Sequence, residues 1–279
     1  MKLVRYGAKG EEKPGILAAD GTVRDLSSVV SDINGDVLAN QMEKLRAVSP
    51  ESLPLVEVER YGACVGDIGK FMCIGLNYSD HAAETGANIP KNPILFMKAT
   101  SAVVGPNDMV MLPRGSTHTD WEVELGLVIG KTCKYVSPDE ALDYVSGYFV
   151  ANDVSERHFQ LKLSGSWTKG KSCDTFGPIG PWLVTADEVP DPQNLNLGLN
   201  VNGQVMQNGN TDKMIFTVAE IISHLSELMT LHPGDVISTG TPPGVGMGIK
   251  PEPIYLKEGD EMEVWIEGLG RQKQAVGQD

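Results

Sequence analysis

Positive charge is scarce in this chain of 279 residues. Its 23 lysines and arginines face 37 aspartates and glutamates, for a formal net charge of −14 and a pI near 4.8. Such a surface repels nucleic-acid phosphates and anionic membranes, so neither is expected as a partner. An anionic substrate remains open only if cations gather locally against the global field. Cysteine is equally sparse. Cys64, Cys73, Cys133 and Cys173 are scattered and form no C-x-x-C pair, which excludes a disulfide framework and the usual zinc modules. No secretory apolar region follows Met1-Lys2-Leu3, so reduced thiols in a cytoplasm are expected. Apolar runs of membrane-spanning length, repeats and low-complexity tracts are also missing. What is present is ordinary globular composition, 41% hydrophobic and 22% charged. A chain of this length buries roughly three quarters of its unfolded surface without disulfide or metal staples.

Two regions follow from punctuation. Residues 1–65 read as a small, mostly β unit. Ile16 to Ala19 and Val23 to Leu26 flank an Asp20-Gly21 turn, and a helix-compatible stretch runs from Val37 to Val48. Ser49-Pro50 and Pro54 then precede a larger region, 66–279. There Val123, Leu125, Leu127 and Ile129 alternate with Glu122, Glu124, Gly126 and Val128, which predicts a strand with an apolar face. Leu195 to Val201 leads into an Asn202-Gly203 hairpin cue, and Asp235 to Thr239 and Glu261 to Ile266 read as further strands. A helix is predicted from Thr217, capped by Glu220, and a shorter one from Ser137-Pro138. Strands without regular βα alternation predict a β-rich mixed α+β fold of roll or barrel type.

One motif invites a wrong conclusion. GSWTKGKS, residues 165 to 172, fits the phosphate-loop template G-x-x-x-x-G-K-[ST]. A true phosphate loop leaves an apolar strand and enters a helix whose amides hold the phosphates. Here the preceding ERHFQLKLS is polar, and Pro178 and Pro181 follow within the next ten residues. Proline inside a helix costs about 3 kcal/mol. Nucleotide binding is therefore set aside, and Lys171 needs another explanation.

Three other stretches carry candidate chemistry. In TDWEVELG, Glu122 and Glu124 share one face of a strand with Cα atoms about 6.6 Å apart. GYFVANDVSE ends an apolar run at Asn152-Asp153, which supplies a third carboxylate. Three oxygen ligands without cysteine or histidine at zinc spacing suit a hard cation, Mg²⁺ or Mn²⁺, with coordination positions left for water and substrate. A solvated outer face is the alternative. In GLNYSDHAAETG, His81 and Glu84 stand at i and i+3, where a carboxylate can fix an imidazole tautomer and make its other nitrogen a general base. Gly75 and Gly86 would let residues 77 to 90 move as a lid. In STGTPPGVGMG, a strand end enters a loop that could offer free amides and the Thr239 and Thr241 hydroxyls to an anion. Lys98 closes the run ILFMKAT and could project its ammonium into a pocket. His118, His158, His224 and His232 are expected to serve surface or packing roles.

Taken together, these stretches resemble the fumarylacetoacetate hydrolase family. GLNYSDHAAE, FMKATSAVVGP, DWEVELGLVIG, GYFVANDVSERHFQ, KSCDTFGPIGP and ISTGTPPGVG occur in family order from Phe71 to the C-terminus. The resemblance implies a β-roll catalytic domain, a smaller N-terminal β-rich domain and a homodimer. It places Mg²⁺ ligands on Glu122, Glu124 and Asp153 and the catalytic pair on His81 and Glu84. The family's lysines fall on Lys98, a substrate contact, and Lys171, a catalytic group. Gln160 and Thr241 match substrate-contacting positions, and Tyr78 and Arg157 in the same motifs are read alike. Ala99 departs from the pattern, since many acylpyruvate-cleaving members carry proline there. The spellings look nearest to members assigned to 2,4-diketo-3-deoxy sugar acids such as the L-fuconate-derived one, and to others labelled ureidoglycolate lyase. The implied reaction is metal-dependent cleavage of a 2,4-diketo acid to pyruvate and a carboxylic acid. Oxaloacetate decarboxylation, isomerisation of an unsaturated diacid and urea release from ureidoglycolate are alternatives on the same metal site, and a non-catalytic metal-stabilised binding protein is a further one.

Overall fold

Strands dominate the computed structural model, which describes every residue except Ala87. The main sheet crosses the whole molecule. Its order is Leu55–Val56, Val23–Asp25, Lys13–Leu17, Lys2–Tyr6, Gly177–Thr185, Val145–Asn152, Val123–Ile129, Val236–Ser238, Phe71–Gly75 and Ile94–Lys98. A second sheet orders Gln204–Asn210, Asn196–Val201, Glu261–Ile266, Gly270–Gln278 and Val110–Leu112. The fold class is mixed α+β and sheet-rich, as the strand periodicities predict. Among the described residues no helix is long and apolar enough to cross a membrane.

Two cores explain the arrangement. Val123, Leu125, Leu127 and Ile129 enter the larger one with Leu197, Leu199, Met262 and Val264 of the second sheet and Ile221, Ile222 and Leu225 of the helix Val218–Leu228. That helix carries the expected capping box, Thr217 and Glu220 each bonding the other's backbone. The opposite face of Val123–Ile129 is buried too. It runs from Glu124 through Gly126, which is packed on Phe149, to Val128 in the second core. Carboxylates at one end of an otherwise apolar strand therefore sit in the interior.

The N-terminal segment keeps the predicted hairpin and two short helices, Gly35–Asn40 and Met42–Arg46. Its sheet is continuous with the rest, because Leu3 pairs with Leu183. Its core is shared as well, Leu26, Ile33 and Val37 belonging to one cluster with Phe149 and Val236. At the expected boundary the Gly66 amide donates to the Ile33 carbonyl at 2.8 Å.

The glycines of the phosphate-loop match have structural duties. Arg157–Lys162 is helical where a nucleotide fold needs a strand, and Thr168–Lys171 adds one helical turn beside it. Gly165 adopts φ +71°, and a Cβ on Gly170 would lie 2.3 Å from the Glu156 carbonyl and 2.5 Å from the Gln160 nitrogen. Ser172 accepts a hydrogen bond from the Ala99 amide at 2.8 Å. Gly170→Ala is expected to destabilise the protein by about 1–3 kcal/mol through overpacking. Urea unfolding measures this, and an unchanged midpoint would contradict the close approach.

Candidate metal centre and active-site cavity

Antiparallel pairing assembles the acidic centre. Val123 lies opposite Asn152, so Glu122 and Asp153 meet at the ends of adjacent strands, with the Asp153 amide donating to the Glu122 carbonyl at 2.9 Å. Glu124 follows two residues on, on the face it shares with Glu122. Oxygens of Glu122, Glu124 and Asp153 all lie within 4.8 Å of one another. The three residues are 6%, 1% and 1% exposed. A solvated face is ruled out.

Buried cations hold this charge in place. Lys171 Nζ stands 2.6 Å from both Glu122 Oε2 and Asp153 Oδ2. Lys98 pairs with the other Asp153 oxygen and donates to the Val154 carbonyl at 3.0 Å. Arg157 reaches Asp120 through Nε at 2.8 Å and Glu122 through Nη2 at 2.7 Å. Burial alone would raise the Glu122 pKa, but Lys171 and Arg157 outweigh it and hold the group at about 2. Glu124 goes the other way, raised by burial and then by the charges of Asp153 and Glu122. The Lys171 ammonium is itself favoured: burial opposes its charge, and Asp153 and Glu122 overcome that.

Counting Asp120, four buried carboxylates face three buried cations. One negative charge is in excess if all ionise, and the raised Glu124 is the group that would shed it by taking a proton. A divalent cation would remove the same excess and leave the centre positive. The donor set, three hard oxygens from three side chains, fits Mg²⁺ or Mn²⁺.

The glycine-rich loop after Val236–Ser238 fastens this centre to the His–Glu helix. Ser238 Oγ and the Gly240 amide donate to Glu124 Oε2, the amide at 2.9 Å. Asp120 accepts from the Gly246 and Met247 amides at 2.6 and 3.0 Å, and Trp121 Nε1 donates to the Gly244 carbonyl at 3.1 Å. The Gly244 amide donates to Glu84 at 3.2 Å. Within the helix Ser79–Thr85, Glu84 Oε2 lies 3.0 Å from His81 Nδ1. Asn77 ties the helix start to the same loop, donating to the Thr239 carbonyl at 2.8 Å.

Part of this arrangement lines a cavity of about 250 Å³, smaller than the roughly 300–1,000 Å³ typical of sites for drug-sized ligands. His81, Glu122, Glu124, Arg157, Gln160, Lys171 and Thr241 form its polar part. Leu76, held at φ +52° between the strand Phe71–Gly75 and the helix, also lines it, and strained backbone of this kind gathers at functional sites.

Residues 70–277 match the family model described as the fumarylacetoacetate (FAA) hydrolase C-terminal domain. The chain belongs to the fumarylacetoacetate hydrolase family. A curated relative from Burkholderia multivorans, whose name goes no further than hydrolase, is 63% identical over 276 residues, 98% of either chain. The solved fumarylacetoacetate hydrolase of Exiguobacterium antarcticum is 36% identical with a TM-score of 0.90, covering 100% of both chains. Maleylpyruvate hydrolase of Sphingobium sp. SYK-6, in complex with manganese(II) and pyruvate, is 30% identical with a TM-score of 0.82 over 100% of this chain and 99% of its own. A 2-hydroxyhepta-2,4-diene-1,7-dioate isomerase of Mycobacterium marinum is 34% identical with a TM-score of 0.74 over 100% and 99%. The family thus spans hydrolases and isomerases on one fold.

Three expectations for the site residues need correction. Lys98 does not project into open cavity: it is wholly buried, and its ammonium is committed to Asp153. Tyr78 is no cavity wall either, since its ring lies fully buried in the main core. The loop offers few free donors, because its Gly240, Gly244, Gly246 and Met247 amides hold the protein's own carboxylates. The Thr239 and Thr241 hydroxyls likewise donate to the Leu125 and Val123 carbonyls, although Thr241 still faces the cavity. The suggested lid at 77 to 90 includes Ala87, which lies outside the described residues. Gly75 makes room for the Trp167 ring. Two residues went unnoticed in the sequence. Asp120, beside Trp121, joins Arg157 to the loop, and Trp167, inside the misleading phosphate-loop match, forms part of the cavity wall.

Parent protein is expected to bind one Mn²⁺ per chain, measured by calorimetry or electron paramagnetic resonance. Asp153→Asn and Glu122→Gln should weaken that binding more than about 100-fold, beyond the range seen for outer-shell losses. Unchanged affinity in either variant would remove these side chains as ligands.

Proposed function

We propose that this chain hydrolyses the C3–C4 bond of a small 2,4-diketo acid, releasing pyruvate and a carboxylic acid, with Mg²⁺ or Mn²⁺ as cofactor. One observation carries the reading: three carboxylates converge, two of them, Glu122 and Glu124, line a small cavity, and His81, paired with Glu84, lines the same cavity. The Sphingobium hydrolase, solved with manganese(II) and pyruvate, supports both the kind of ion and the product.

Glu122, Glu124 and Asp153 would hold the cation. Bound there, it supplies Lewis acidity toward the 2-oxo acid. Arg157 and Lys171 place two positive groups at the same end of the cavity, which draws a substrate carboxylate against the −14 global charge. An ionised Glu84 can only accept, so His81 Nδ1 carries the proton and Nε2 is the basic nitrogen. Nε2 takes a proton from water as the water oxygen adds to C4. The C3–C4 bond then breaks, its electron pair moves to C3 as pyruvate enolate, and the acyl carbon leaves as a carboxylic acid. Protonation at C3 returns the proton that His81 removed.

Decarboxylation of oxaloacetate, isomerisation of an unsaturated diacid and urea loss from ureidoglycolate need no activated water. The His81–Glu84 pair, anchored further by the Gly244 amide, favours the hydrolytic reading over these and over simple binding.

With acetylpyruvate and either metal, a coupled assay should detect pyruvate, and EDTA should abolish it. His81→Ala should keep Mn²⁺ binding and lose about 10²- to 10⁴-fold in kcat. Absence of diketo-acid cleavage in the parent, with oxaloacetate decarboxylation persisting in His81→Ala, would overturn the proposal.

A further inference from the structure

Arg157, Glu122 and Lys171 stand together in the cavity lining, at the end called its floor, and the polar groups are largely engaged with protein partners. Arg157 binds Asp120, Glu122 and the side-chain Oε1 of Gln160, the last at 3.0 Å. Lys171 binds Glu122 and Asp153, and Thr241 donates to Val123 while accepting from Gln207 at 2.8 Å. The walls are different in kind. Ile74, Ile94, Phe96, Leu161, Trp167 and Met247 present carbon to the cavity.

This wall begins at the reactive end. Lys171 Nζ sits 5.0 Å above the Phe96 ring, and Trp167 packs edge-on to Phe96 with centroids 5.4 Å apart. Leu161, 43% exposed, extends the apolar surface toward solvent. The indole fits only because residue 75 lacks a side chain: a Cβ there would lie 2.2 Å from Trp167 Cζ3. A ligand with its oxo-acid end at the floor must therefore run its remaining carbons along an aromatic and aliphatic surface.

We infer that the acyl group of the substrate is an unhydroxylated alkyl or aryl chain, and that Trp167, seated against Gly75, selects it. A polyhydroxylated sugar-acid chain would lose water from each hydroxyl against this wall without receiving hydrogen bonds in return, which is unfavourable for every buried polar group. An apolar chain gains from the same burial. The inference rests on the diketo-acid reading for the position of the oxo-acid end.

Two series test it on the Mn²⁺-loaded protein. Binding of non-scissile 2-oxo acids of four to seven carbons, followed by calorimetry, should tighten about fourfold per methylene. The 5,6-dihydroxylated six-carbon acid should bind more weakly than its alkyl counterpart. In turnover, kcat/KM for 2,4-dioxo acids should rise with alkyl length in the same order. Gly75→Ala, which displaces the indole, and Trp167→Ala should each flatten the binding series to less than about twofold per methylene. A flat or reversed series in the parent, with the hydroxylated acid preferred, would overturn the inference whether or not the variants fold. If the alkyl order holds in binding while no dioxo acid is cleaved, the reaction falls and the assignment of the wall stands.

Discussion

Three carboxylates can share one dry corner of a protein only with positive charge among them. Here Lys171 lies between Glu122 and Asp153, Lys98 closes the far side of Asp153, and Arg157 closes that of Glu122. Glu124 forms no ion pair among the described residues; burial and the charges of Asp153 and Glu122 raise its proton affinity, against Lys171 and the hydrogen bond from Ser238. The centre is thus one positive charge short when all its carboxylates ionise, a deficit that a proton on Glu124 cancels and a divalent ion exceeds by one charge. Most other features of the site serve to keep these groups together in the interior, where an unpaired charge would be costly.

Sheet and loop divide the labour. The rigid Val123–Ile129 and Val145–Asn152 pair fixes the acidic oxygens, and the glycine-rich loop carries their orientation outward to Glu84. Lys171 reaches the centre from the opposite side on a single helical turn, pressed against Arg157–Lys162 by the missing side chain of Gly170. A motif shaped like a phosphate loop is here a device for delivering one ammonium group to carboxylates. The charge it delivers is also what would let an acidic protein attract an anionic substrate.

How much of this could be read from the residues alone depended on range. Period-two alternation exposed the strand and put Glu122 and Glu124 on one face, because side-chain direction in a strand is local. The Thr217–Glu220 cap and the His81–Glu84 spacing are local too, and both appear as expected. Convergence with Asp153 needed the register of Val123 against Asn152, which no local pattern supplies. Lys98 was misjudged for the same reason: its place at a strand end was visible, but the partner 55 residues away was not. Pro50 and Pro54 mark a break in the chain, yet the pairing of Leu3 with Leu183 carries the sheet across it. Asp120 and Trp167 escaped notice because their roles arise wholly from distant partners, Gly246 and Gly75.

The central claim is that one divalent ion belongs at the meeting point of Glu122, Glu124 and Asp153. Anomalous diffraction from crystals grown with Mn²⁺ tests it most directly. The account predicts a single strong peak bounded by one oxygen from each of the three side chains. A peak coordinated by other residues, or none at millimolar Mn²⁺, would contradict it.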